Sequence, residues 1–422
     1  MKKILMIVAT CAISSTAWTE TDASGYSLAD ATQFRNAWNL DNWDEGGPLM
    51  RYVFLNMTEF WNHSVIRRGG AVRALPAASR DDVAAFITKT DRGELALADY
   101  VADSTVDGAI VLHHGRIVYE AYPRMRGTDM HNYMSVSKPL AATLIAILED
   151  RGDVDVHKPV DAYLPSLAAS GWHGVPVLDI LDMASGIGCL EGEEGAYSDP
   201  ATCYYQFEAS LGWLRPTANT PDSPFEYMAS LQAHRPSGEA FEYTSPDTFV
   251  LAWLAETVSG QTYAELLSTE IWQRLGAESA AVIAAPHHGV PIAHGGISST
   301  LRDMARFGLL FTPSGRQGDH PVVSDRYLDN IQKRGRPGIF RAARSEEAAF
   351  VDGEAARHNS YQWDFVMEDG DFFKGGFGGQ GLYISPARDL VIGFFGTFDE
   401  DGSGHEMTRI ARQLAKSGLF DH

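Results

Sequence analysis

The chain has 422 residues, enough to bury one large hydrophobic core or two smaller ones. Its apolar, aromatic and charged fractions of 45%, 11% and 21% are those of a globular protein. The formal net charge of −21 argues against nucleic acid and anionic membrane surfaces as partners.

The first residues have the pattern of a secretory signal peptide. Met1-Lys2-Lys3 is basic, Ile4 to Ala17 carries no charge, and Ser15-Thr16-Ala17 is a small-residue cleavage site. We therefore expect residues 1–17 to be removed and the mature protein to be periplasmic or secreted. A lipid anchor on Cys11 is the alternative. No other segment approaches the roughly 20 apolar residues that span a bilayer, so no integral membrane segment is expected.

Loss of that peptide leaves Cys189 and Cys203. In an oxidising compartment these two cysteines can form a disulfide, which would stabilise the fold by about 3 kcal/mol through loop closure. Two free buried thiols are an equally good interpretation, because the sequence does not give the distance between them.

Regular structure is predicted mainly after residue 106. Residues 18–106 hold scattered aromatic residues between glycine-rich turns, which predicts an irregular N-terminal arm packed onto the body. Asp107 to Tyr122 predicts a β-hairpin, because two β-rich runs flank His113-His114-Gly115-Arg116. The apolar run from Leu140 to Leu148 then predicts a largely buried helix.

The rest of the chain alternates between helices, long loops and late strands. Helices are predicted at 177–184, 245–260, 263–275, 300–310 and 405–416. Strands are predicted at 381–385 and 390–396. The polar stretches 187–240 and 333–357 predict excursions from the body, and the first has the length of a functional lid or rim. Strands at both ends with helices between predict an α/β layer interrupted by a helical region.

Ser135-x-x-Lys138 is the first candidate for chemistry. If the helix begins near Ser135, positions i and i+3 share a face, so the hydroxyl and the amine can meet. The serine then lies where the free N–H groups of a helix start can bind an oxyanion. A serine on a first helical turn is often only a cap, but a lysine with a disfavoured charge suits a general base.

Tyr243-Thr244-Ser245 is the second candidate, because a phenol between the lysine and a leaving group can relay a proton. The tripeptide pattern is common by chance. Ser245 is also explained as an N-cap before Pro246, at the start of the predicted helix.

The third candidate is the glycine-rich run from Lys374 to Gln380. Glycines before a strand let the backbone approach a ligand closely, so we expect Gly376 and Gly378 to contact substrate. A backbone N–H of that strand could be a second oxyanion donor. A plain hairpin turn is the alternative.

Other polar clusters carry less chemistry. The histidines at 113, 114, 287, 288 and 294 lack recognisable metal-ligand spacing, so no metal site is predicted. The acids Glu191, Glu193 and Glu194 could line a cationic site, but we interpret them as solvated loop residues. No organic cofactor motif occurs.

These three elements, in this order, resemble the β-lactamase and penicillin-binding serine hydrolases. Ile180 to Ile187 and Gly295 to Gly308 resemble two further segments of that superfamily, so the similarity covers roughly 107–400. It is greatest to the branch with 6-aminohexanoate-dimer hydrolase and carboxylesterases. The resemblance implies an antiparallel sheet flanked by helices, formed by 107–130 and 292–422, with a helical subdomain inserted at approximately 131–291.

The resemblance also implies roles for individual residues. Ser135 would be the acylated nucleophile, Lys138 its base and Tyr243 the proton relay, with the amides of Ser135 and Phe377 as oxyanion hole. Ser245 would border the substrate. The substrate would be a small-molecule ester or amide, and the sequence leaves the oligomeric state open.

The chain departs from the β-lactamase pattern at two places. Ser245 stands where asparagine is usual, and Lys374-Gly375-Gly376 replaces Lys-Thr-Gly. Both changes remove polar groups that would hold a β-lactam. A β-lactamase or D-amino-acid peptidase is therefore the second hypothesis, and a non-catalytic binding or sensor protein on the same scaffold is the third.

Overall fold

The computed structural model of the protein describes residues 25–317, 321–343 and 350–421. The predicted signal peptide and Cys11 lie outside these residues.

A seven-stranded antiparallel sheet forms the centre of the molecule. Its spatial order is β3-β4-β5-β6-β7-β1-β2. The strands are β1 (Val106–His113), β2 (Arg116–Ala121), β3 (His358–Ser360), β4 (Trp363–Val366), β5 (Phe372–Gly376), β6 (Gln380–Ser385) and β7 (Leu390–Gly396). The predicted hairpin is thus β1 and β2, and the last strand β7 closes against the first strand β1.

Both faces of this sheet are covered, which explains why β6 and β7 are buried along their whole length and why β7 is a continuous apolar run. Helix α3 (Leu301–Leu309) packs on one face and helix α4 (Met407–Ala415) on the other. Each covered face contributes its own hydrophobic core. The predicted antiparallel α/β architecture is confirmed.

A second, four-stranded antiparallel sheet lies beside the segment that leads to Ser135. Its order is His63–Ile66, Ala281–Ala284, Ile297–Ser299 and His131–Asn132. The first of these strands belongs to the N-terminal arm, which also contains the helices Leu28–Ala37 and Gly47–Leu55. The arm is therefore more regular than its sequence predicts, because its strand gains its pairing partner from a distant segment.

The helical part surrounds helix α1 (Lys138–Arg151), which is buried on all sides from Lys138 to Leu148 and ends at Gly152 in the left-handed conformation. Helix α2 (Ser245–Ser259) packs against it. The excursion 187–240 carries the short helices Cys203–Ser210 and Pro224–Ser230.

The remaining described helices are short: Asp81–Ala84, Leu97–Ala102, Val177–Leu181, Tyr263–Leu266, Leu267–Trp272 (a π-helix), Gln273–Leu275, Asp325–Lys333 and Pro337–Ala343. The 3₁₀ turns are Met57–Glu59, Met134–Ser137, Val160–Ala162, Pro165–Leu167 and Pro386–Arg388. Two small hairpins pair Ile87–Thr90 with Gly93–Ala96 and Phe350–Val351 with Glu354–Ala355. Among the described residues, no helix has the length and apolarity needed to cross a membrane.

Candidate active site

Ser135 lies in the 3₁₀ turn Met134–Ser137, directly before helix α1. Two contacts hold the start of this turn: the Tyr133 amide donates to the Ile297 carbonyl over 2.8 Å, and the Met134 amide donates to Asn132 Oδ1 over 2.7 Å. Met134 has a φ of 46°, a left-handed conformation that costs a methionine about 1 kcal/mol. Met134, the residue before Ser135, therefore has a strained backbone conformation that sets the direction of the turn.

Lys138 is buried and its amine contacts three oxygens. Nζ lies 3.0 Å from Ser135 Oγ, 3.0 Å from Ser245 Oγ and 3.2 Å from the carbonyl oxygen of His294. Burial lowers the pKa of Lys138, although the negative charges of nearby carboxylates oppose the shift. The amine is thus placed to take the proton of Ser135.

Ser245 has a different position from the predicted N-cap. Thr244 is the N-cap of helix α2, and Ser245 is its first residue. The buried Ser245 hydroxyl accepts from Lys138 and donates to Glu191 Oε2 over 2.7 Å. The N-cap interpretation is therefore wrong, because the hydroxyl of Ser245 is used by the site and not by its own helix.

Tyr243 lies between two lysines. Its hydroxyl accepts from Lys374 Nζ over 2.8 Å, and the amines of Lys374 and Lys138 lie 4.5 and 4.9 Å from the centre of its ring. Lys374 also donates to Asp364 Oδ1 over 2.6 Å. Burial lowers the pKa of Lys374 to about 8 against the opposing charge of Asp364, and the positive charge of Lys138 lowers it further.

The glycine-rich run forms the end of β5 and the turn after it. A side chain at Gly376 would lie 2.6 Å from the Tyr133 carbonyl oxygen, so glycine lets this strand contact the turn that carries Ser135. Phe377 is the next residue, and its carbonyl accepts from Gln380 Nε2 over 3.0 Å. The backbone of Phe377 is thereby fixed beside the Ser135 turn.

The two glycines predicted to contact substrate have different surroundings. Gly376 lies against the turn that carries Ser135. Gly378 has a φ of 85°, and a side chain there would lie 2.7 Å from Met50 and 2.8 Å from Phe54. Its missing side chain therefore makes room for the N-terminal arm.

Cys189 and Cys203 form a disulfide. It joins the loop that carries Glu191 to the helix that carries Glu208. Glu208 is buried with His294, whose Nε2 lies 3.1 Å from a carboxylate oxygen of Glu208. A second acidic group, Glu208, thus contacts His294, whose backbone carbonyl accepts a hydrogen bond from Lys138.

Three residues of the candidate site were not identified from the sequence: Glu191, Asp364 and Gln380. Glu193 and Glu194 are exposed, as interpreted, but Glu191 is half-buried and bonded to Ser245. Asp364 carried no motif, although it follows the buried Trp363 in a short strand. Gln380 stood within the glycine-rich run without an assigned role. Over residues 25–317, 321–343 and 350–421, no group of three or more histidines, cysteines or acids could hold a metal.

The arrangement brings together a hydroxyl, a buried amine and a phenol, with a strand end packed against the serine's turn. A hydroxyl that contacts an amine can be deprotonated as it attacks a carbonyl carbon. The first N–H groups of a helix have no partner inside that helix, and Ser135 lies in the turn directly before the start of helix α1. Such a set has the components of acyl transfer.

Comparisons with known proteins agree with this geometry. The family model described as beta-lactamase matches residues 96–416. The 6-aminohexanoate-dimer hydrolase of Paenarthrobacter ureafaciens is 33% identical over 358 residues, which are 84% of this chain and 86% of that protein.

Solved structures share the fold. A Bacillus anthracis protein assigned provisionally as a 6-aminohexanoate-dimer hydrolase superposes with a TM-score of 0.75 at 23% identity, over 89% of this chain and 96% of that one. A β-lactamase/D-alanine carboxypeptidase of Yersinia pestis superposes with a TM-score of 0.58 at 17% identity, over 75% of this chain and 94% of that one. The resemblance inferred from the motifs is confirmed, and the chain belongs to the beta-lactamase family of serine hydrolases.

Proposed function

We propose that this protein cleaves a carboxylic ester or amide through an acyl-enzyme on Ser135. The observation that carries the proposal is the contact of Lys138 Nζ with Ser135 Oγ at 3.0 Å, made by a buried amine whose pKa is lowered by burial. A lysine that is neutral can act as a general base, and one that is fully solvated cannot do so near neutral pH.

The reaction follows from these positions. Neutral Lys138 takes the hydroxyl proton as Ser135 Oγ bonds to the substrate's carbonyl carbon. The carbonyl oxygen becomes an oxyanion, which the amides of Ser135 and Phe377 bind. Tyr243 passes its proton to the leaving oxygen or nitrogen and regains one from the Lys138 ammonium, and the leaving group departs as alcohol or amine. Lys138, neutral again, takes a proton from the water that attacks the acyl carbon and returns a proton to Ser135 Oγ as the acid leaves.

The 6-aminohexanoate dimer is the first amide substrate that we would test. The chain is 33% identical to a hydrolase named for that dimer, over most of both proteins. Short p-nitrophenyl esters are the matching ester probes, because their leaving group needs little protonation. Esters therefore test the nucleophile and base, and the amide also tests the proton relay.

β-Lactam or D-amino-acid peptide hydrolysis is the alternative. Ser245 replaces the usual asparagine, and its hydroxyl is committed to Lys138 and Glu191. It therefore offers no amide group to such a substrate. Rapid turnover of a chromogenic cephalosporin, with short esters untouched, would favour this alternative over ours.

We also propose that the protein is exported. The basic and apolar N-terminal residues support export, and so does the pairing of Cys189 with Cys203, because structural disulfides persist in oxidising compartments. Fractionation of cells, with N-terminal sequencing of the mature chain, tests this part independently.

Labelling with a fluorophosphonate tests the catalytic proposal directly. The wild-type protein should gain one adduct in an intact mass spectrum, and the Ser135→Ala variant should gain none. Ser230→Ala removes an exposed hydroxyl and should label like the wild type. Absence of the adduct on the wild type, or an equal adduct on Ser135→Ala, would contradict an acyl-enzyme on Ser135.

A further inference from the structure

A chain of hydrogen bonds continues from Lys138 away from the nucleophile. Lys138 donates to Ser245 Oγ over 3.0 Å, and Ser245 donates to Glu191 Oε2 over 2.7 Å. The other oxygen of Glu191 accepts from the Tyr197 hydroxyl over 2.6 Å. Both carboxylate oxygens are therefore bonded to hydroxyl groups of the protein.

The loop with Glu191 is fixed to the same helix start that carries Ser245. Cys189, two residues before Glu191, forms the disulfide with Cys203. The carbonyl of Cys189 accepts from Thr244 Oγ1 over 2.6 Å, and Thr244 precedes Ser245. The loop is thus held at Cys189 by the disulfide and by the bond from Thr244, and Glu191 itself is held by its bond from Ser245.

We propose that Glu191 is a positioning residue, which holds Lys138 through Ser245 in contact with Ser135 and stabilises the ammonium that forms when the base takes the serine's proton. This role rests on the function proposed above. The carboxylate does not touch the reacting atoms, so it acts on the reaction only through Ser245 and Lys138.

The charges around Lys138 support this role. Lys138 faces Glu191 through Ser245, Glu208 through His294, and the Asp364–Lys374 pair across the Tyr243 ring. Burial lowers the pKa of Lys138, and Glu191 is the largest of the influences that raise it.

The pKa of Glu191 agrees with this assignment. Burial raises the pKa of its carboxyl group, but the positive charge of Lys138 and the hydrogen bonds from Tyr197 and Ser245 outweigh burial. The pKa of Glu191 therefore lies below its ordinary value while Lys138 is protonated, which is the state that the carboxylate stabilises.

The negative charge of Glu191 should change the pH dependence of kcat/KM in a defined direction. Lys138 must be neutral to accept a proton, so activity rises with pH as the amine loses its own proton. A nearby carboxylate moves that rise to higher pH and makes the amine a stronger base. Glu191→Gln should move the acidic limb of kcat/KM about one pH unit lower and reduce the plateau rate.

The experiment compares Glu191→Gln with Glu193→Gln, an exposed acid two residues further along the same loop. Profiles of kcat/KM for p-nitrophenyl acetate, and rates of fluorophosphonate labelling, are measured from pH 5 to 10. Glu193→Gln should follow the wild-type profile. Glu191→Asp should restore most of the limb position, because it restores the charge.

The outcomes separate this inference from the proposed function. If Glu191→Gln loses activity with its acidic limb unmoved, or keeps the wild-type profile, Glu191 does not stabilise the ammonium form of Lys138. If Ser135→Ala labels like the wild type, the acyl-enzyme itself is wrong. Ser245→Ala provides the second variant: it breaks the link but keeps the carboxylate, and it should lower the plateau rate as Glu191→Gln does.

Discussion

Lys374 donates a hydrogen bond to the Tyr243 hydroxyl over 2.8 Å, and a carboxylate oxygen of Asp364 holds the same amine at 2.6 Å. In the proposed mechanism, a protonated Lys374 stabilises negative charge on the phenol oxygen when Tyr243 passes its proton to a leaving group. Lys374 would therefore assist the proton relay, as Lys138 would assist the attack by Ser135.

This relationship predicts an alkaline limb in the pH profile. The pKa of Lys374 is lowered to about 8, with burial as the main cause, so the amine loses its charge as the pH rises through that value. We expect kcat for an amide to fall above about pH 8. An unchanged kcat for the amide between pH 7 and 10 would contradict the assignment.

Substitutions of Lys374 should separate charge from packing. Lys374→Met removes the charge at every pH, so amide hydrolysis should fall about 100-fold, while p-nitrophenyl esters lose less because their leaving group needs little protonation. Lys374→Arg keeps the charge and should carry the alkaline limb to higher pH. Equal losses for amide and ester in Lys374→Met would show that the lysine does not serve the relay.

Gln380 should matter for kcat more than for KM. Its side chain donates to the carbonyls of Phe377 and Gly396 and accepts from the Gly396 amide, so it fixes the turn that would supply the second oxyanion donor. We expect Gln380→Leu to lower kcat about tenfold with little change in KM, because the oxyanion forms only in the transition state. Steady-state kinetics with p-nitrophenyl acetate measure both values.

A matched control distinguishes this effect from general destabilisation. Gln232 is exposed, and Gln232→Leu should leave kcat unchanged. Gln380→Leu will also lower the melting temperature, because buried backbone groups lose partners worth about 1–3 kcal/mol. A lower melting temperature with kcat intact at 25 °C would leave Gln380 as a purely structural residue.

Phe377 and Phe398 should favour apolar acyl groups. Phe377 is 45% exposed although it lies beside the turn that carries Ser135, and the centres of its ring and the Phe398 ring are 5.1 Å apart in an edge-to-face arrangement. A bound acyl chain would cover this apolar surface, with about 0.8 kcal/mol for each buried methylene. Phe377→Ala and Phe398→Ala should each lower the ratio of kcat/KM for hexanoate over acetate esters about fivefold.

The control for this preference is Leu28→Ala, which removes a side chain that is 79% exposed on the N-terminal arm. Its hexanoate-to-acetate ratio should equal that of the wild type. A ratio that stays the same in both phenylalanine variants would show that the acyl group binds elsewhere.

The extent of prediction from sequence depended on how local each contact is. The hairpin β1–β2 and helix α1 were predictable because their apolar patterns and turns lie within one stretch of chain. The second sheet was not, because Ile297–Ser299 has three residues and His131–Asn132 has two. Strands so short take their conformation from their partners, and His131–Asn132 pairs with residues that are more than 100 positions away.

The same distinction holds within the site. Ser135 and Lys138 are three residues apart, so helix geometry alone predicted their contact. Glu191 could not be assigned, because its partner Ser245 is 54 residues away and only the closed loop brings them together. Asp364 was missed for a related reason: its role depends on pairing between β4 and β5, which no local motif encodes.

The Cys189–Cys203 disulfide should support both stability and catalysis. It closes a loop with a sequence separation of 14, for which chain entropy predicts about 3 kcal/mol of stabilisation. It also holds the loop that carries Glu191. We therefore expect Cys189→Ser/Cys203→Ser to melt at lower temperature and to hydrolyse esters more slowly, with its acidic limb at lower pH, as in Glu191→Gln.

Alkylation provides the chemical check. The mature protein should take up no iodoacetamide under denaturing conditions without reductant, and two equivalents after reduction. Uptake of two equivalents before reduction would mean that the thiols are free. A double variant with a lower melting temperature but a wild-type pH profile would restrict the disulfide to stability, because a tether that positions Glu191 must move the acidic limb when it is lost.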